Sequence, residues 1–103
     1  MAQEKGKGVQ VEQKKVIEND KVLVIENRYK PGAENPNVPR DARVVHTLTS
    51  GTLVRVYPDG KTEKVEWKAG ESRFIPATVG ATPQYSTKNV GKTELVLYLV
   101  VLK

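Results

Sequence analysis

Apolar residues recur at every second position along most of this chain, and this alternation argues against a helical fold. From Val9 onward the period is two rather than three and a half, as the run from Thr62 to Trp67 illustrates. No long segment carries the apolar stripe of an amphipathic helix. The pattern therefore predicts an all-β protein.

Turn-forming residues divide the chain into short segments. Asn19-Asp20, Pro58-Asp59-Gly60 and Asn89-Val90-Gly91 each follow a run of strand-forming residues, and the prolines in 33–41 predict a loop. The run 95–102 is apolar on both sides and rich in valine, which favours a buried strand. About eight or nine short strands with such turns are typical of an antiparallel β-sandwich or jelly-roll barrel.

The length and composition set the domain organisation. A chain of 103 residues allows one domain with one core. We expect residues 1–8, polar and glycine-containing, to form a flexible N-terminal tail and residues 9–103 to form a single β-barrel domain. No apolar run approaches the roughly 20 residues of a membrane-spanning helix, so we expect no membrane partner. The sequence does not decide the cellular location of the protein. It is cytoplasmic, or periplasmic if Ala2-Gln3 marks the end of a removed signal peptide.

Several kinds of site are excluded by the residues that the chain lacks. It has no cysteine and one histidine, His46, which excludes a disulfide scaffold, a thiolate zinc site and any site with two imidazoles. The net charge is +5, but its lysines are scattered and its aromatic residues make up only 6%. Nucleic-acid-binding proteins usually concentrate positive charge on one face and interleave aromatic side chains. We therefore expect no nucleic-acid partner.

The placement of glycine and proline resembles that of the cupin family. Gly32 and Gly51 match the two ends of the family's first motif, and Gly70 and Pro76 match the beginning of its second. The resemblance covers Val16–Lys103. It implies a cupin-like antiparallel β-sandwich or jelly-roll barrel, but it carries no information about the substrate.

The metal ligands of the cupin family do not carry over to this chain. The resemblance places the family's histidine pair at Val38 and Arg40, its glutamate at Val44 and its last histidine at Tyr85. Valine has no donor atom, and arginine stays protonated and does not ligate. We therefore expect a metal-independent domain with no cofactor.

The resemblance also suggests where a ligand would bind. It turns the strand face that carries Val44, His46 and Leu48 toward the barrel interior. Arg55 would join these residues if Leu53 and Arg55 face inward. The alternative is that Val54 and Val56 face inward and Arg55 points to solvent, and the alternation leaves this open. The candidate ligand-binding residues are Arg40, His46, Arg55 and Tyr85.

Three functions remain open at this point. The first is a binding module for a small ligand, anionic if the arginines converge. The second is a metal-independent cupin enzyme that uses His46 and Tyr85 as acid and base. The third is a structural or assembly protein whose barrel is filled.

The resemblance implies an assembly as well. Short cupins pair through edge strands, and a β-sandwich of this size has exposed edges to cover. The alternating segment from Val9 to Glu18 is our candidate for pairing with a second subunit, so we expect a homodimer.

Overall fold

The computed structural model describes residues 9–36, 41–77 and 84–103, and within these ranges nine strands and no helix are found. The five-stranded sheet has the order β1-β2-β9-β4-β7 and the four-stranded sheet the order β3-β8-β5-β6, and all neighbouring strands in these orders are antiparallel. The strands are β1 (Glu12–Glu18), β2 (Val22–Tyr29), β3 (Glu34–Asn35), β4 (Arg43–Thr47), β5 (Gly51–Val56), β6 (Thr62–Trp67), β7 (Ser72–Ile75), β8 (Ser86–Asn89) and β9 (Leu95–Leu102).

This architecture confirms the predicted all-β jelly-roll barrel. The predicted tail, residues 1–8, lies outside the described residues. Helices long and apolar enough to cross a membrane are absent from the described ranges.

The glycines that carry the family resemblance each have a structural reason. Gly32 and Gly70 adopt φ angles of 84° and 87°, in the left-handed region that side-chain-bearing residues rarely enter. Gly51 is needed for space instead, because a Cβ there would lie 3.1 Å from the Leu95 side chain. Two glycines therefore form turns, and the third allows β5 to pack closely against β9.

Alternating side chains of the two sheets meet in one core. Tyr29, Val45, Leu53, Trp67 and Leu97 are buried together between the sheets. β9 lies between β2 and β4 in the five-stranded sheet. The predicted strand at 95–102 is confirmed, but its burial only in part: Leu95, Val96 and Leu97 are buried, the next four residues are half-buried and Leu102 is exposed.

The face of β4 that points into the barrel is the opposite of the one predicted from the sequence. Arg43 and Val45 are buried, whereas His46 and Leu48 are exposed. The prediction that Val44, His46 and Leu48 face the barrel interior is therefore wrong. The physical reason is that β4 carries valine on both faces, so alternation alone does not determine which face points inward.

The segment from Val9 to Glu18 connects the two sheets. The Val11 amide donates to the Glu34 carbonyl at 2.9 Å, and the Glu34 amide donates to the Val9 carbonyl at 2.8 Å. The following residues, Glu12–Glu18, pair with β2 of the other sheet. β3, which contains Glu34, lies in the stretch predicted to be a loop, so sequence reasoning missed it. The segment thus pairs within its own chain, and the homodimer stays a prediction.

Candidate functional site

A cavity of about 540 Å³ lies between the two sheets. Its walls combine aliphatic and aromatic side chains with polar ones, and Ile25, Leu53, Leu97 and Leu99 are among the aliphatic residues. The interior is therefore not filled, which counts against a structural protein with a packed barrel. A space of this size matches the small-molecule pockets of other proteins, which are roughly 300–1,000 Å³.

Arg43 is the most deeply buried charge in this cavity. Its residue is 8% exposed, and it extends inward from β4. One guanidinium nitrogen donates to the backbone oxygen of Asp41 at 3.1 Å, and another donates to the Tyr85 hydroxyl at 3.0 Å. Both acceptors are neutral, and Arg43 forms no ion pair with any carboxylate of the described residues. Burying a charge in this way is costly unless a counter-charge joins it.

Arg55 enters the same cavity from the opposite sheet. Its guanidinium carbon lies 4.6 Å from the centre of the Tyr85 ring, a cation–π geometry. A Glu63 oxygen lies 3.5 Å from the guanidinium, but the Glu63 side chain is 55% exposed. Leu53 is buried, and both Leu53 and Arg55 line the cavity. The sequence left open which face of β5 points inward, and the structure shows that it is the face with Leu53 and Arg55.

Tyr85 brings the two arginines to one place. It is buried just before β8, its hydroxyl accepts from Arg43 and its ring lies beneath Arg55. The ring of Tyr57 packs edge-on against it at 5.7 Å between centroids. One aromatic side chain therefore orients two guanidinium groups that come from different sheets.

Two arginines outside this cluster show what a fully paired guanidinium looks like in this chain. Arg28 lies 2.6 Å from a Glu26 oxygen, and Arg73 lies 2.9 Å from a Glu71 oxygen. The hydrogen bond from Arg73, helped by the backbone amide of Lys68, holds the pKa of Glu71 below its usual value. Their short ionic contacts contrast with Arg43, whose two hydrogen-bond acceptors are both neutral.

A second polar group in the cavity is made of uncharged side chains. Gln13 donates to the Asn27 side-chain oxygen at 3.0 Å, and Asn35 donates to the Tyr29 hydroxyl at 3.2 Å. The Tyr29 and Thr87 hydroxyls lie 2.9 Å apart and share a hydrogen bond. These side chains form hydrogen bonds with one another, so they are stable without a bound ligand. They could still form further hydrogen bonds with a ligand in the cavity.

The structure brings together two of the four predicted site residues. Arg55 and Tyr85 meet in the cavity, while Arg40 lies outside the described residues. His46 is exposed on the outer face of the five-stranded sheet, where its Nδ1 lies 2.7 Å from the Ser72 hydroxyl. His46 and Tyr85 are thus not brought together, and the predicted acid–base pair is wrong.

Arg43 is the residue that sequence reasoning missed. The signal that would have revealed it is the inward direction of its neighbour two positions along, Val45, which belongs to the core. Choosing the opposite face of β4 placed Arg43 outside the barrel and His46 inside. Because the wrong face of β4 was predicted to point inward, Arg43 was overlooked and His46 was wrongly assigned to the cavity.

The side chains in the cavity do not fit a divalent metal ion. Across the described ranges, no three histidine, cysteine, aspartate or glutamate side chains are grouped closely enough to bind one. Of the slots that the resemblance assigned to ligands, Tyr85 lines the cavity, Val44 lies on the outer face, and Val38 and Arg40 are not described. The inward-facing guanidinium groups repel a cation instead of ligating it.

The fold is similar to those of solved cupin structures. No protein-family model and no curated protein matches the chain significantly. A cupin domain from Bordetella pertussis is 26% identical, with 94% of this chain and 97% of that chain covered and a TM-score of 0.83. A cupin family protein with a double-stranded β-helix fold from Methanocaldococcus jannaschii is 13% identical over 95% and 84%, with a TM-score of 0.68.

An enzyme is also among the similar structures. A polyketide cyclase from Streptomyces resistomycificus is 20% identical, with 92% of this chain and 66% of that chain covered and a TM-score of 0.66. At this identity the likeness concerns the fold. The same barrel therefore occurs in proteins with quite different names.

Proposed function

This chain is a small domain of the cupin superfamily, and we propose that its barrel binds a small anionic molecule. The observation that carries the proposal is the position of Arg43, which is 8% exposed, lines the cavity and donates to neutral oxygens. A carboxylate or phosphate in the cavity would supply the counter-charge that the described part of the chain does not.

The arrangement of the second arginine supports the same class of ligand. Arg43 and Arg55 approach Tyr85 from opposite sheets, so both guanidinium groups reach one region of the cavity. Planar guanidinium groups bind carboxylate and phosphate through two parallel hydrogen bonds. Two of them held by a common tyrosine form a clamp for one anionic head group.

The walls of the cavity favour a ligand whose remaining part is apolar. Leu23, Ile25, Leu99 and Val101 line one side, and the uncharged hydrogen-bonding groups around Asn27 are already paired. Burying an aliphatic or aromatic body against such walls is favourable, whereas burying the many hydroxyls of a sugar would leave most of them unpaired. We therefore propose a carboxylate with an apolar body in preference to a sugar phosphate.

Thermal unfolding in different anions tests the proposal. Sulfate, phosphate and succinate should each raise the Tm more than chloride at equal ionic strength, since specific binding to the folded state adds to screening. Arg43→Met and Arg55→Met keep the apolar stem and remove the charge, so each should abolish the extra increase. In chloride the Tm of Arg55→Met should be unchanged or higher, whereas Arg43→Met also loses the hydrogen bond to Tyr85, so its response to each anion is compared with its own Tm in chloride.

A matched control and a chelator complete this experiment. Arg28→Met removes a guanidinium that is paired with Glu26 outside the cavity, and it should leave the anion-specific increase intact. Dialysis against EDTA should leave it intact as well, because we propose no metal. An increase that survives Arg55→Met, or one that EDTA removes, would contradict the proposal.

A further inference from the structure

The polar side of the cavity contains a buried amide whose hydrogen-bonding capacity is only partly used. Asn27 is 1% exposed, lines the cavity from β2, and accepts one hydrogen bond, from the Gln13 side chain at 3.0 Å. Its side-chain nitrogen donates to no acceptor among the described residues. A side-chain amide has two N–H donors and two acceptor positions, so this single bond leaves both donors unpaired. A buried donor without a partner is costly, and a ligand that accepts from it removes that cost.

Hydrogen-bonded neighbours connect Asn27 to the arginines along one side of the cavity. Tyr29 follows two residues later on the same inward face of β2, about 7 Å further along the strand. The Tyr29 and Thr87 hydroxyls share a hydrogen bond, and Thr87 is directly opposite Arg55 on the neighbouring strand. These four residues form a continuous polar stripe, which begins at Arg55 and ends at Asn27.

The cavity walls beside the polar stripe are apolar. Leu97 is directly opposite Asn27 on the five-stranded sheet, and Leu53 and Val65 are opposite each other on the four-stranded sheet. A ligand that extends from the arginines toward Asn27 therefore has carbon on one side and hydrogen-bonding groups on the other. Such surroundings suit a chain that is apolar except for one polar atom, because every further polar atom would need a partner of its own.

We propose that the ligand carries an uncharged carbonyl oxygen along its chain, and that Asn27 selects this ligand by donating a hydrogen bond to that oxygen. The inference rests on the proposed function, since Arg43 and Arg55 fix the carboxylate and so set the position at which Asn27 meets the chain. A carbonyl oxygen only accepts hydrogen bonds, which is what two unpaired N–H donors require. The ligand class is therefore a carboxylate with a ketone or an amide several atoms away.

Gln13 is the positioning residue for this donor. It is directly opposite Asn27 on the neighbouring strand, and its N–H holds the Asn27 side-chain oxygen toward β1. Turning the amide around would break that bond, so the nitrogen and not the oxygen stays available to a ligand. The site therefore selects an acceptor and disfavours a donor.

Isothermal titration with matched pairs of carboxylates tests the proposal. Each pair consists of an oxo acid, from 4-oxopentanoate to 7-oxooctanoate, and the unsubstituted acid of the same length. The carbonyl moves one carbon further in each pair. Where it reaches Asn27, the oxo acid should bind about three- to tenfold more tightly than its partner, as expected for one added hydrogen bond. At the other positions it should bind more weakly, because the carbonyl loses water without gaining a partner.

The amide analogue of the preferred oxo acid distinguishes the two sources of the carbonyl. In this analogue an N–H replaces the methylene on the carboxylate side of the carbonyl, and the acceptor oxygen keeps its place. Tighter binding of the amide identifies an acylated amino acid as the ligand class, and tighter binding of the ketone identifies an oxo acid. The absence of a preferred carbonyl position in both series would overturn the proposal.

Variants test whether the preference comes from Asn27. Asn27→Leu removes both donors at similar volume, and Asn27→Asp keeps the oxygen that Gln13 binds but replaces the nitrogen by a second oxygen. The preference is the ratio of the two affinities within a pair, and each variant should abolish it. Thr47→Val is the matched control, because Thr47 is fully buried in the same row as Asn27, with Leu97 between them, and should keep the preference. A preference that survives both Asn27 variants would contradict the proposal.

The titrations also separate this proposal from the one on which it rests. If the unsubstituted acids do not bind, or bind equally well to Arg43→Met and Arg55→Met, both proposals are wrong. If they bind and need the arginines, but no oxo acid or amide is preferred, the anion site stands and the role of Asn27 is wrong.

Discussion

Arg43 and Tyr85 join the two sheets of the barrel through one hydrogen bond of 3.0 Å, donated by the guanidinium and accepted by the phenol oxygen. Both residues are buried, and the same tyrosine ring supports Arg55. The position of the positive charge in the cavity therefore depends on a side chain that also holds the sheets together. Stability and binding are coupled at this contact, and the coupling can be measured.

Tyr85→Phe separates the two roles of this tyrosine. The variant keeps the ring beneath Arg55 but removes the acceptor for Arg43, so the free energy of unfolding should fall by about 1–2 kcal/mol. Urea denaturation measures this change. Tyr57→Phe is the control, since the Tyr57 hydroxyl donates to Glu63 at an exposed position and its loss should cost much less. Equal effects of the two substitutions would show that the Arg43 contact contributes no special stability.

A series of linear carboxylates tests the apolar part of the proposed ligand. If the chain of the ligand lies against Ile25, Leu53 and Leu99, each added methylene should contribute about 0.8 kcal/mol, or roughly a fourfold gain in affinity, until the cavity is full. Isothermal titration from acetate to octanoate measures the gain. Affinity that is flat along the series would limit the site to the anionic head group.

Glu18 gives the fold a predictable response to acid. Hydrogen bonds from the Lys103 and Lys15 ammonium groups, with their charges, lower the pKa of Glu18 to about 2 from its usual 4.5. Because the folded-state pKa is the lower one, the pair contributes stability above pH 4.5 and loses it as the pH falls toward 2. Glu18→Gln should thus lower the Tm at pH 7, and this difference should shrink as the pH falls below 4.5, with a small remainder near pH 2, where Glu18 is still about half ionised in the folded protein.

A control isolates this effect from the general consequences of removing a charge. Glu66→Gln removes an exposed carboxylate that forms no ion pair within the described residues, so its small effect should not follow the same pH curve. Added salt should reduce the Glu18→Gln effect at pH 7, since exposed ion pairs are screened. A difference in Tm that is as large at pH 2 as at pH 7 would contradict the assignment.

Most strands could be predicted because their limits are set by local chemistry. β6 was predicted with its observed bounds, Thr62–Trp67, because Gly60 ends the preceding turn and Gly70 forms the next. Gly60 adopts a φ of 91°, and its amide closes the turn on the Tyr57 carbonyl at 2.9 Å. Signals of this kind depend on a few neighbouring residues, so they can be read from the sequence.

The candidate site was harder to predict because its residues depend on which face of a strand points inward. On β5, Arg55 shares a face with Leu53, while the opposite face carries two valines, and only the pairing with β6 and β8 decides between them. On β4 the choice was wrong, because the strand carries one valine on each face, Val44 toward the solvent and Val45 toward the core. The short strand β3 is held by contacts with Val9 and Val11, which no local pattern reveals.

The place of β9 in the five-stranded sheet has a consequence for how the protein is made. β9 is the ninth strand in chain order, yet it lies between β2 and β4 and pairs with both over most of its length. During synthesis, β2 and β4 leave the ribosome without the strand that separates them. Topologies dominated by such long-range pairing fold slowly, because distant segments must meet before their contacts form. The barrel therefore closes only after translation has passed Leu102, and until then the emerging strands are exposed to mispairing and aggregation.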